Sequence, residues 1–185
     1  MLTPWQLPTR AVIGGKSYEI QTDYRDILEL FSYFDDPQLP HQMKWLIALA
    51  LFYEGQIPEK DRQEAMEFLV RFINCGEEEG TPGPKLLDWE QDGALIIADA
   101  NRAAGRELRA LPYMHWWSFM SCFHAIGQGR LSTVVAIRKK LSRGQKLEEW
   151  EKHFYRENKS AVDMKKRYTQ QELRERQRLQ SLLGD

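Results

Sequence analysis

In TDYRDILELFSYF, residues 22–34, Ile27, Leu30, Phe31 and Phe34 recur at three- and four-residue intervals. That spacing puts them on one face of a helix, and Thr22 or Asp23 is placed to cap it. The prolines of DDPQLP stop it. HQMKWLIALALFYEG, residues 41–55, predicts a second helix, apolar nearly all round and therefore expected at the centre of the fold, with Gly55 as its C-cap. A third runs over 58–76, opening on Pro58 and Glu59 and stopping at Gly76. Ala65, Phe68, Leu69, Phe72 and Ile73 form its buried stripe. After the loop EEEGTPGPK, 77–85, further helices are predicted over 86–105, 111–129 and 130–144. AVIGGKSYEI, 11–20, breaks the pattern. Two short β-prone runs flank Gly14-Gly15, a pair suited to the positive φ angles of a tight hairpin turn. Two strands alone are marginal in water, so the hairpin must lie on helices.

From Gln145 to Leu183 there is neither glycine nor proline. Leu147, Trp150, Phe154, Ala161, Met164 and Tyr168 fall on one a/d seam, with Glu157 at the missing d position. The seam fails beyond Tyr168, where Gln171 and Glu175 occupy the next positions. There TQQE, 169–172, reads as a capping box that opens a new helical piece. The expectation is a helix to about 168, a break, and then a basic helix. The predicted fold class is mainly α. A helical bundle body with an N-terminal β-hairpin occupies 1–144, and a long charged C-terminal helical arm occupies 145–185.

Charge sharpens that division. The formal net charge is −1, yet residues 1–129 carry 11 Lys and Arg against 19 Asp and Glu, and residues 130–185 carry 15 against 8. An acidic body with a basic C-terminal part admits nucleic acid, an acidic protein or its own body as partner. The most apolar run, WLIALALF, is far shorter than the roughly 18–20 residues of a membrane span. MLTPWQLPTR has no apolar core of a signal peptide. Cys75 and Cys122 show no pairing pattern, which points to a reducing, cytoplasmic setting.

YMHWWSFMSCFHAI, 113–126, holds five aromatic residues, two histidines and a cysteine. His115 and Cys122 share a helical face, but His124 lies about 180° from His115. The three do not converge on one ion, and no zinc motif occurs elsewhere. No metal or other cofactor is expected. Trp116, Phe119, Met120, Phe123 and Ile126 form the core arc, which leaves Trp117 and His124 on the flank as a candidate recognition edge. DWEQDGALIIAD, 88–99, imitates a calcium loop, but Glu90 is too long for its position and Asp99 too short. Asp88 as a helix cap is the simpler reading. Arg138, Lys139, Lys140 and Arg143 could contact phosphates, but no nucleic-acid motif or interleaved aromatic accompanies them, and a solvated helix end fits better. No nucleophile elbow, phosphate loop or paired acid and base is present, so an enzyme is not expected.

Several stretches in order resemble one family: VIGGKSYEIQTDYRDILEL, DWEQDGALIIADANRAAG, and LPYMHWWSFMSCF followed by AIRKKL. They are similar to the phage Gp-fifteen family of tailed phages and prophages, over about residues 8–157. The resemblance implies a tail-assembly chaperone, encoded beside the tape-measure gene, which keeps the long tape-measure helices soluble in the host cytoplasm and is absent from the finished virion. It implies no catalytic residues. Candidate partner-binding residues are Trp117, His124, Trp150, Phe154, Met164 and Tyr168, with the tape-measure protein as partner and a homo-oligomer through the arm as a further expectation. The competing classes are a nucleic-acid-binding accessory protein acting through 138–178 and a structural tail or connector component.

Overall fold

The computed structural model describes residues 5–78 and 83–183, with side chains through 179. The hairpin forms as its sequence predicts. Strand β1 (Arg10–Ile13) pairs antiparallel with β2 (Lys16–Glu19), Ala11 facing Tyr18. Gly14 and Gly15 take φ of +57° and +78°, conformations that cost other residues dearly. A Cβ at Gly14 would also lie 2.7 Å from the Asp61 carboxylate, which would have to swing aside. Its N–H donates to Glu64 Oε2 at 2.8 Å, which fastens the turn to the start of the third helix. Ala11, Ile13 and Tyr18 alternate into the core.

Helix α1 (Tyr24–Asp35) starts on Asp23, whose carboxylate accepts from the Arg25 N–H. Its Ile27 and Leu30 are fully buried, and Phe31 and Phe34 pack beside them. α2 (His41–Phe52) and α3 (Arg62–Ile73) follow, with a single 3-10 turn at Glu59–Asp61 before α3. α4 (Gly93–Ala104) ends on Gly105 in the left-handed region. α5 (Trp116–His124), α6 (Arg130–Ser142), α7 (Glu149–Glu157), the single turn α8 (Lys159–Val162) and α9 (Gln170–Leu183) complete the described residues. Part of the loop expected over 77–85 lies outside those residues.

The main core is built by the hairpin and α1 to α5, around Phe52, Leu69, Phe72, Trp116 and Phe119. A smaller core joins Val134 and Ile137 of α6 to Val162, with Leu147, Phe154, Tyr155 and Ala161 around them. The class is mainly α with one small hairpin.

Three local expectations need correction. The helix expected from 86 begins at Gly93, because Asp88 first closes a turn by accepting from the Glu90 and Gln91 N–H groups. The helix expected from 111 begins at Trp116. Before it, the Met114 carbonyl accepts from Tyr24 N and the Trp116 N–H donates to the Thr22 carbonyl, which holds 113–115 extended. The single arm helix to about 168 does not form, and its a/d seam with it. α7 ends at Glu157 and α8 at Val162, and no helix spans 163–169.

The arm is interrupted first at Asn158, between α7 and α8, and again after Val162, where Arg138 intervenes. That side chain is 4% exposed and spends all five guanidinium N–H groups on five bonds. Nη1 donates to Asp92 Oδ2 at 2.6 Å and to the Leu86 carbonyl, and Nη2 donates to Asp92 Oδ1 and to the Ala161 carbonyl. Nε takes the Val162 carbonyl at 2.8 Å. A continuing helix would need the Ala161 and Val162 carbonyls for residues four further on. Arg138 takes them instead, so the chain leaves the helix there. The expectation that 138–143 is a solvated basic cluster fails at two of its four members. Arg138 is buried on Asp92, and Lys140 pairs with the buried Glu151 at 2.7 Å.

Candidate partner-binding groove

α2 is apolar on every side, but only one side is covered. Ala48, Leu49 and Phe52 face the core between α1 and α3, while Met43, Leu46 and Leu51 are exposed, Leu46 at 43%. The expected central position is therefore corrected. α1 and α3 are the helices packed on α2, and a helix needs more neighbours than that to be hidden all round. Between α2 and α3 runs a groove of about 920 Å³. Trp45, Leu46, Leu49, Met66 and Val70 give it an apolar lining. Trp45 is braced edge-on by Phe34, with ring centres 5.0 Å apart. Around it stand the carboxylates of Glu59, Glu67, Glu77 and Glu78 against the guanidiniums of Arg62 and Arg71. The lining is apolar, and the rim is polar with a surplus of negative charge.

The six residues predicted to meet partners lie elsewhere. Trp117 is 5% exposed and so is no recognition edge. Its indole N–H donates to the Phe72 carbonyl at 2.8 Å, and that of Trp116 donates to the Ile73 carbonyl at 2.9 Å. The consecutive tryptophans thus serve the carbonyls at the end of α3, groups that a helix leaves without intrahelical donors. His124 is exposed at the last residue of α5. Trp150 is 60% exposed on α7, whereas Phe154 packs into the smaller core. Met164 and Tyr168 are half-buried in the segment after α8, and Arg176 stacks over the Tyr168 ring at 4.7 Å. Trp150 and Phe154 are neighbours on α7, but that helix ends at Glu157, so Met164 and Tyr168 do not continue their face.

His115 is buried and caps α5. Its Nδ1 accepts from the Trp117 N–H at 3.0 Å, so Nε2 carries the proton and donates to the Pro8 carbonyl, also at 3.0 Å. Burial pushes its pKa below the ordinary imidazole value, which the Pro8 contact only partly offsets. The neutral ring is the form this site holds.

The acidic residues of the calcium-like stretch have separate partners. Asp88 pairs with Lys85 and Arg167, Asp92 with Arg138, and Asp99 accepts from the Leu131 N–H at the start of α6. Burial raises the Asp88 carboxyl, but the Gln91 N–H, Lys85 and Arg167 outweigh it and bring its pKa down to about 2. Among the described residues, no group of three His, Cys, Asp or Glu side chains is placed to hold a metal ion. Among the same residues, no helix is long and apolar enough to cross a membrane. Arg167 also meets Glu90 at 3.1 Å, which straps the segment before α9 across the start of α4.

The family model described as Bacteriophage Gp15 protein matches residues 6–164. This chain belongs to that family. No match was found among curated proteins or among solved structures. The Gp15 match takes in the hairpin, the α2/α3 groove, the tryptophan pair and the Arg138 hub, and it stops before α9. Sequence reasoning missed the groove although its signal was present. A helix with apolar residues on all sides, followed by one amphipathic helix, has more apolar surface than its neighbours can cover.

Proposed function

We propose that this phage protein is a tail-assembly chaperone that holds helical segments of the tape-measure protein in the α2/α3 groove. The observation that carries the reading is the apolar lining of that groove, Leu46 exposed with Trp45, Met66 and Val70 half-buried beside it over the buried Leu49, in a member of the Gp15 family. A helix with an apolar stripe docks into such a groove through residues at i, i+3, i+4 and i+7. Weak, repeated contacts of this kind suit a client that must later be released into the growing tail. The role is one of binding rather than catalysis, exercised in the host cytoplasm and ending before the particle is complete. The competing nucleic-acid reading loses support from the burial of Arg138 and from the Arg167 contacts with three carboxylates.

The test is co-expression with the tape-measure protein of the same phage. The wild-type chain should bring that protein into the soluble fraction and co-purify with it. Leu46→Glu places a charge in the groove lining at an exposed position, so it should leave the fold intact and abolish co-purification. Equal recovery with wild type and variant rejects the groove as the client site.

A further inference from the structure

The two walls of the groove are not alike. α3 and the residues on either side of it supply every carboxylate and guanidinium of the rim: Glu59, Arg62, Glu67, Arg71, Glu77 and Glu78. The α2 wall supplies His41, Gln42, Trp45, Leu46 and Leu49, with no carboxylate, lysine or arginine among them. Lys44, the lysine of α2, donates instead to the Phe34 carbonyl at 2.6 Å. Beyond Leu46 the exposed Ala50 and Met43 follow within about 60° around the helix axis, so the shoulder of that wall stays apolar. On the α3 wall the charges do not cancel. Glu59 pairs with Arg62 at 3.6 Å. Arg71 turns its Nε back to the Glu67 carbonyl of its own helix, at 3.4 Å. The Glu67 carboxylate accepts from a neutral donor, Gln63 Nε2, at 2.9 Å. Among the described residues, Glu67, Glu77 and Glu78 meet no lysine or arginine within ion-pair distance, and all three are exposed. The negative surplus therefore lies along the second half of α3 and just past its end, beside an apolar trough that concentrates its field.

Resting on the chaperone reading, we propose that the groove selects a basic amphipathic helix, and that Glu67, Glu77 and Glu78 are the residues that make the selection. α2 spans 12 residues, so the groove is about 18 Å long and takes about three turns of a docked helix. Apolar residues at i, i+3, i+4 and i+7 of that helix seat on Trp45, Leu46, Met66 and Val70. Lysines or arginines along one flank of the stripe meet the three glutamates of the α3 wall. The opposite flank lies over Leu46 and Met43, where a charge would have no partner, and is uncharged. The apolar lining supplies affinity for any such stripe, and the glutamates supply the choice among stripes. A helix of the same apolar pattern with an acidic flank sets carboxylate against carboxylate and is refused. Client segments are thus sorted by the charge beside the stripe as well as by the stripe itself.

Fluorescence anisotropy on the full chain tests the proposal, with labelled synthetic helical peptides that share one leucine stripe and carry lysine, glutamine or glutamate along one flank. The lysine peptide should bind about 10-fold or more tighter than the glutamate peptide, with the glutamine peptide between them. Added salt should shrink that ratio, since exposed charges are screened. Glu67→Gln combined with Glu77→Gln and Glu78→Gln should bring the ratio close to one. Circular dichroism should show unchanged helix in that variant, because all three side chains are exposed. Equal binding of the three peptides to the wild-type chain overturns the proposal while leaving the groove as a helix site. A ratio that survives the triple change overturns the role given to the three glutamates. Failure of every peptide to bind overturns the proposal as well. Co-expression with the tape-measure protein uses no designed peptide, so it decides the chaperone reading separately.

Discussion

The two most apolar helices of the chain, α2 and α5, end in opposite circumstances. α5 carries Trp116, Trp117 and Phe119, and all three are buried. α2 carries Met43, Leu46 and Leu51, and all three are exposed. The sequence reading put most of α5 in the core but left Trp117 on a recognition edge, and it gave α2 a central place because it is apolar nearly all round. The difference lies in what each side chain can do once water is gone. An indole inside a protein needs an acceptor for its N–H, and the end of α3 offers two carbonyls without intrahelical donors. Trp116 and Trp117 bury large surfaces and satisfy those groups together. The leucines of α2 have no such polar handle. They are buried only as far as neighbouring helices reach, and the neighbours end at α1 and α3.

That contrast is open to measurement. Trp116→Ala and Trp117→Ala should each cost about 3–5 kcal/mol in denaturant unfolding, while Leu46→Ala should change stability by no more than about 0.5 kcal/mol. Comparable losses at all three sites would erase the distinction. Arg138→Ala should cost about 3–5 kcal/mol, since it strands Asp92 as a buried carboxylate. Arg138→Lys should recover little of this, because an ammonium cannot reproduce five forked donors. Full rescue by lysine would mean that charge alone holds the hub.

The cap on α5 adds a pH signature that α2 lacks. The folded pKa of His115 lies below its unfolded value of about 6.5. The unfolded chain therefore binds the proton first, so this contribution is complete above about pH 6.5 and is lost as pH falls below it. Protonation also removes the Nδ1 acceptor of the Trp117 N–H. His115→Asn keeps a cap acceptor without titrating, and it should flatten the decline in stability between neutral pH and about pH 5. An unchanged slope would assign that decline to other groups. The smallest effect is expected at the strap before α9. Arg167→Ala should cost less than about 1 kcal/mol overall, since its partners include the exposed Glu90. It should nevertheless speed amide exchange over 163–170.

Where a signal was local, the sequence carried it. Gly14-Gly15 made a turn that required positive φ, Asp23 capped α1, and Thr169 with Glu172 opened α9 as a capping box. Helix faces such as Ile27 and Leu30, or Leu69 and Phe72, were legible from spacing alone. What depended on distant partners was not. Arg138 sits beside Lys139 and Lys140 and looks like a solvated helix end until Asp92, Leu86, Ala161 and Val162 converge on it. The same contact ends α8 at Val162, so the heptad seam read there had no way to show that interruption. Trp117 was misplaced for a related reason. A helical wheel gives its direction from the axis of α5 but not the end of α3 that meets it.

Hydrogen exchange of the full chain with and without a soluble tape-measure segment tests the central claim most directly. The account predicts added protection along α2 and α3, over 41–52 and 62–73, with none at α7, where Trp150 is the exposed aromatic. Protection confined to α7, with the groove unchanged, would contradict it.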